Sequence, residues 1–396
     1  MDHSVWELPA SQIRAGEVNF SLTAKDVPGT PSSWSIVGRV LTAGVSAGVE
    51  VIEINNGATT LIVIPTRGMG LWRAEREGET LGWKAPVQGP VHPQFVSLME
   101  PSGVGWLDGF DELMVRCGLE SNGSAVFDGQ GRLLFPLHGR IANKPAHSLQ
   151  ASIDATKGTI NLRGVVDESR LQSQKLRLMT TLTTAFGSSS WKWHDEVTNL
   201  GGSTATMQML YHINVGEPIL APGARLVAPV TSVSPHDDYP VDAELRDYRA
   251  YPGVEANSIP QSFFFELRAD HAGATEVVLI QPAGERGLAV RFNKQHLPWL
   301  TVWRSNASPG DGYVTSIEPG TNFPNPRPFE ERQGRVVRLD PASSWSAEVE
   351  MDWLTDAPAV AAAELRVAAL QGSMLPDIQD HPVVGWSAKA RAERPD

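Results

Sequence analysis

The chain has 396 residues and is 41% hydrophobic, enough to fill the core of one large all-β domain or two average ones. Its 33 Lys and Arg against 45 Asp and Glu give a formal charge of −12, with no basic run to track a phosphate backbone, so no nucleic-acid partner is expected. One cysteine, Cys117, excludes an internal disulfide and a cysteine zinc cage; with no signal-like start and no stretch near ~18 apolar residues, a cytoplasmic protein without a membrane partner is expected.

In chain order the pattern has mostly period two. EINNGATTLIVIP, residues 53 to 65, carries Asn56-Gly57 between two apolar runs and predicts a hairpin. Alternation follows at Ile160-Asn161-Leu162 and Leu176-Arg177-Leu178. WSAEVEMDW, residues 345 to 353, puts Trp345, Ala347, Val349, Met351 and Trp353 on one face of a half-buried strand. The one long helix predicted is DAPAVAAAELRVAALQG, with Asp356 as N-cap, Pro358 in the first turn and Gly372 as stop, packed outside a sheet. No repeat or low-complexity linker divides the chain, so residues 1–396 are read as one β-sandwich, its core at about 45–354 and a C-terminal helical tail at 355–396.

The 12 Trp residues include several beside polar or turn residues, as in GLWRAE, GWLDGFDE and LPWLTVWRSN. Indole faces stack on the C–H faces of sugar rings, although each Trp also reads as a filler of the core. Three segments place ionisable groups where strands run into loops. FPLHGRIANKPAH holds His138 and Arg140, LYHINVGEPIL holds His212, and GYVTSIEPGTNFPNPRP holds Glu318. Singly, each histidine also reads as a turn or core residue, and Glu318 as a solvated carboxylate. No His-Glu-x-x-His run, Cys pair, Gly-x-Ser-x-Gly elbow or phosphate loop is present, so neither a metal nor a cofactor is expected.

In their order, Leu137-His138-Gly139, Tyr211-His212-Ile213-Asn214 and Ile317-Glu318-Pro319 with Phe323-Pro324 resemble the aldose 1-epimerase, or galactose mutarotase-like, superfamily. LPWLTVWRSN is similar to that family's strand before its glutamate. GFDELMVRCGLESNG ahead of PLHGRIANKPAH looks like a DUF4432-like branch, whose substrates the resemblance does not specify. The resemblance covers about residues 45–354 and implies an all-β galactose mutarotase-like supersandwich of large antiparallel sheets with few short helices. The Asp-His-Asn-Phe box of galactose mutarotases has its nearest match in IPQSFFF, residues 259–265, which lacks the aspartate, so galactose is not the presumed substrate.

By the resemblance, Glu318 is the base that takes the anomeric hydroxyl proton and His212 the acid that protonates the ring oxygen, opening the ring so that it recloses as the other anomer. His138 would stabilise the same oxygen or a neighbouring hydroxyl. Arg140, Asn143, Trp106, Asn214 and Trp303 are candidate wall residues. The family's substrate arginine has only loose counterparts in Arg116, Arg67 and Arg140, each able to meet an anionic substituent. The expected partner is a small-molecule sugar, and a homodimer remains an option. An isomerase or lyase using the same pair on a keto or modified sugar, and a non-catalytic carbohydrate-binding protein, stay open.

Overall fold

The computed structural model describes residues 3–8, 18–238, 247–255 and 258–390. Two large sheets face one another. The first has nine strands, in the order His3–Leu8, Ser148–Asp154, Thr159–Ser169, Lys175–Ala185, Ser190–Asn199, Ser344–Leu354, Gly287–Asn293, Ala274–Ile280 and Arg225–Val227. The second has fourteen, and its middle is an antiparallel run of Met114–Leu119, Ala205–Val215, Val314–Gly320, Trp299–Ser305 and Gln261–Leu267. One apolar cluster, from Leu8 to Trp353, fills the layer between them.

Local chemistry accounts for the elements. Asn56 closes the hairpin between Glu50–Asn55 and Thr60–Ile64: its Oδ1 accepts from the backbone N–H groups of Ala58 and Thr59, while Gly57 takes φ +99°. In Ser344–Leu354 the alternation buries Ala347, Val349, Met351 and Trp353. The helix Ala357–Gln371 is capped by Asp356, whose carboxylate accepts from the Ala359 N–H at 2.8 Å. Its Val360, Ala363 and Val367 pack against Val278, Ile280 and Ala289 on the outer face of the nine-stranded sheet.

Two expected boundaries shift. The core starts before residue 45, because Leu8, Leu22, Trp34 and Ile36 already belong to the central cluster. The tail is helical only to Gln371, where Gly372 at φ +61° ends the helix. Asp377–Ile378 pairs in parallel with Ser232 and Val233, and Trp386 packs against Trp299 and Phe323. Residues 9–17 of the opening segment and 391–396 of the tail lie outside the described residues.

Candidate active site

Strand register builds the centre of the site. Ala205–Val215 and Val314–Gly320 pair with Leu210 opposite Gly320, Ile213 opposite Ile317 and Asn214 opposite Ser316, which sets His212 opposite Glu318. Side chains two apart share a face. His212, Asn214, Ser316 and Glu318 therefore form a square on the face turned away from the nine-stranded sheet, while Tyr211, Ile213 and Ile317 enter the inter-sheet core. His212 Nε2 lies 3.2 Å from Glu318 Oε1. Each member is held by its own strand: His212 Nδ1 is 2.6 Å from Asn214 Oδ1, and the Ser316 hydroxyl donates to Glu318 Oε1.

These bonds assign the protons. Asn214 Nδ2 donates to the carbonyls of Glu112 and His212 at 2.9 and 3.2 Å, so Asn214 Oδ1 is an acceptor and His212 Nδ1 carries hydrogen. Nε2 is left to face Glu318. Burial pushes Glu318 up to about 8, offset in part by the Ser316 hydroxyl. Burial, then the nearby His138, holds His212 well below the usual imidazole range against the raising contact of Asn214. Both shifts disfavour charge, so the pair is poised to share one proton.

Loops roof this square and enclose a cavity of about 610 Å³. The indole of Trp106 lies 4.6 Å from His138 and 6.2 Å from His212, between ring centroids, and Phe110 lies 5.1 Å from His212. His138 takes φ +57°, followed by Gly139 at +75°. This turn aims the imidazole inward, and its Nδ1–H donates to the Asn122 carbonyl at 3.0 Å. Burial lowers His138 to about 4, so it is neutral, with Nε2 an acceptor. A Cβ at Gly139 would meet the Ser121 and Gly118 carbonyl oxygens at 2.0 and 2.3 Å. Gly139→Ala is expected to destabilise the fold by about 1–3 kcal/mol, read as a lower urea midpoint at unchanged slope.

Of the candidates that the sequence offers, the cavity gathers His138, His212, Glu318, Trp106 and Trp303. Five others lie outside its lining. Arg67 is fully buried, its guanidinium donating to Glu112 at 2.6 Å, to Asn143 Oδ1 at 2.9 Å and to the Gly109 carbonyl at 2.7 Å. It braces the segment bearing Trp106 and Phe110, and Asn143 is one of its acceptors. Arg116 points into the inter-sheet layer, because the alternation that turns Val115 and Cys117 toward Trp106 sends it the other way. There it donates to Asp195 and to Thr180 Oγ1. Arg140 sits 3.8 Å from Glu120, and Asn214 is committed to His212.

Sequence reasoning missed Ser316, Thr301, Phe110, Trp83, His236, Ser262, Phe264 and Asp311, of which all but Ser316 line the cavity. Counting back two from Glu318 yields Ser316, and counting two either side of Trp303 yields Thr301 and Ser305; the loop residues carry no such signal.

Residues 46–352 match the model of the family described as a domain of unknown function, DUF4432. No curated protein matches the sequence. The crystal structure of a candidate aldose 1-epimerase from Klebsiella pneumoniae is 32% identical, with TM-score 0.90 over 99% of this chain and 100% of that one. A candidate aldose 1-epimerase from Escherichia coli superposes with TM-score 0.52 at 15% identity, covering 77% of this chain and 99% of that one. A galactose mutarotase-like protein from Clostridium acetobutylicum does so with TM-score 0.52 at 17% identity, covering 77% and 95%. The architecture is thus the galactose mutarotase-like one, and by sequence the chain belongs to the DUF4432 family.

Proposed function

We propose that this protein is an aldose 1-epimerase in which His212 and Glu318 exchange one proton across the anomeric centre of a sugar. The observation that carries the reading is the cross-strand pair itself: an imidazole nitrogen and a carboxylate oxygen 3.2 Å apart on the floor of an aromatic cavity. Both reacting oxygens of a cyclic aldose sit on one carbon, so groups this close reach both.

In the productive form Glu318 is ionised and His212 Nε2 carries the shared proton. Glu318 takes the proton of the anomeric hydroxyl as His212 protonates the ring oxygen, and the C–O ring bond breaks to leave an aldehyde. Rotation about the bond to the next carbon presents the other carbonyl face. Reclosure returns one proton to each starting place, so the pair holds one proton before and after. The step is proton transfer alone and calls on no redox or group-carrying cofactor. His138, as a neutral acceptor at Nε2, would receive a bond from a sugar hydroxyl rather than stabilise the ring oxygen. Among the described residues, the indole N–H of Trp106 and the hydroxyl of Thr301 are buried without a hydrogen-bond partner.

The test is NMR saturation transfer between α and β anomeric protons over a panel of aldoses, with Glu318→Gln and His212→Asn as comparisons. Exchange reduced about 10²-fold or more in each variant supports the assignment, and retained exchange in either sinks it. Solvent deuterium entering a sugar C–H would assign the pair to isomerase or lyase chemistry; binding without exchange would make the protein a carbohydrate binder. The profile of kcat/KM with pH is expected to be bell-shaped. Its alkaline limb lies near 8, where the pair loses its last proton and has none to donate. Its acid limb lies well below 6.5, where a second proton leaves Glu318 unable to accept one.

A further inference from the structure

The geometry points to an uncharged reducing saccharide of at least two rings as the substrate, its reducing ring over His212 and Glu318 and its second ring toward Trp83 and Asp311. This rests on the mutarotase reading above and adds the length and charge of the molecule.

Length comes from the floor. The strand Trp299–Ser305 turns three alternate residues into the cavity, Thr301, Trp303 and Ser305. At about 3.3 Å per residue they span roughly 13 Å. Thr301 is paired with Glu318 and marks the reactive end. Beyond Ser305 the chain turns through Pro309–Asp311, so Asp311 and Gly312 mark the other end. A Cβ on Gly312 would sit 3.4 Å from the Trp83 ring and 3.5 Å from Pro86, so those side chains border that end. A single pyranose covers about one indole. Here Trp303 lies in the middle of the floor and Trp83 at its far end, two platforms in series. A cavity of about 610 Å³ falls well inside the roughly 300–1,000 Å³ that encloses drug-sized ligands, which are much larger than one sugar ring.

Charge comes from the walls. Among the described residues that line the cavity, the acids are Asp311 and Glu318, and none is Lys or Arg. His138, His212 and His236 are all held toward their neutral forms, chiefly by burial. A phosphate or carboxylate on the sugar would meet carboxylates at both ends and no Lys or Arg among the described lining residues. Sugar hydroxyls fit instead. Asp311 Oδ2 accepts from Ser308, and its Oδ1 is an acceptor at the mouth for a hydroxyl of the second ring.

Saturation transfer on glucose and galactose, on maltose, cellobiose and lactose, and on glucose 6-phosphate separates the cases. At least one disaccharide is expected to exchange with kcat/KM about tenfold or more above its reducing monosaccharide, the worth of one stacked ring, and the phosphate ester to exchange least. Val87→Trp, which narrows the far half, is expected to lower the ratio of disaccharide to monosaccharide kcat/KM about tenfold; Asp311→Ala, on an exposed loop, should lower the same ratio without a folding change. If monosaccharides exchange in a Glu318-dependent way while disaccharides are no better and both variants leave the ratio unchanged, the two-ring inference is overturned and the mutarotase reading stands. Fastest exchange of the phosphate ester overturns it as well. No Glu318-dependent exchange of any sugar overturns both.

Discussion

Above pH 8, Glu318→Gln is expected to be more stable than the native protein while its anomer exchange falls about 10²-fold or more. Burial raises the Glu318 carboxyl from 4.5 to about 8, so between those values the folded chain holds a proton that the unfolded chain has released. A carboxyl shifted upward favours the fold fully below its unfolded value, and that contribution disappears as pH rises through its folded value. Native stability should therefore fall with pH across this window, and a neutral amide should remove that part of the slope. Thermal melts of both proteins from pH 4 to 9 check it: the curves should lie close together at pH 4 and separate in favour of the amide variant as pH rises. Parallel curves would mean that Glu318 titrates as if it were in water.

Arg116→Met is expected to cost about 3–5 kcal/mol, because it strands Asp195 as a bare charge between the sheets. Asp195 is fully buried, and the guanidinium also lies 4.6 Å above the Trp193 ring. Replacing both partners, as Arg116→Met with Asp195→Leu, should recover most of the loss, since a dry apolar pair of similar volume asks for no compensating charge. Urea unfolding measures this directly. A substrate-binding arginine would behave in the opposite way, with an unchanged midpoint and a raised KM, so the experiment also tests why Arg116 is set aside as a sugar contact.

The same residue shows what the sequence could and could not convey. Alternation in WSAEVEMDW, the Asn56-Gly57 turn and the Asp356 cap are local, and each appears where its chemistry predicts. His212 and Glu318 were legible through short motifs, and their strands bring them into contact although they lie far apart in the chain. Arg67 and Arg116 were not legible, because a buried arginine looks like a binding one until its partner is known, and Glu112 and Asp195 lie 45 and 79 residues away. Asn214 looks like a sugar contact in the sequence for a related reason: its neighbour in the motif, His212, is also its hydrogen-bond partner. The roof was hidden as well, since Trp83, His236 and Asp311 come from loops without periodicity.

The square of His212, Asn214, Ser316 and Glu318 exists because two strands keep step. That makes the site indifferent to some changes of chain length and intolerant of others. One residue inserted within Val314–Gly320, ahead of Glu318, would rotate that carboxylate into the layer between the sheets with every side chain still present in the chain. The same insertion at residues 306–312 would only reshape the mouth of the cavity. Insertions and deletions can thus remodel the roof, and with it the choice of sugar, while the frame of these two strands stays locked.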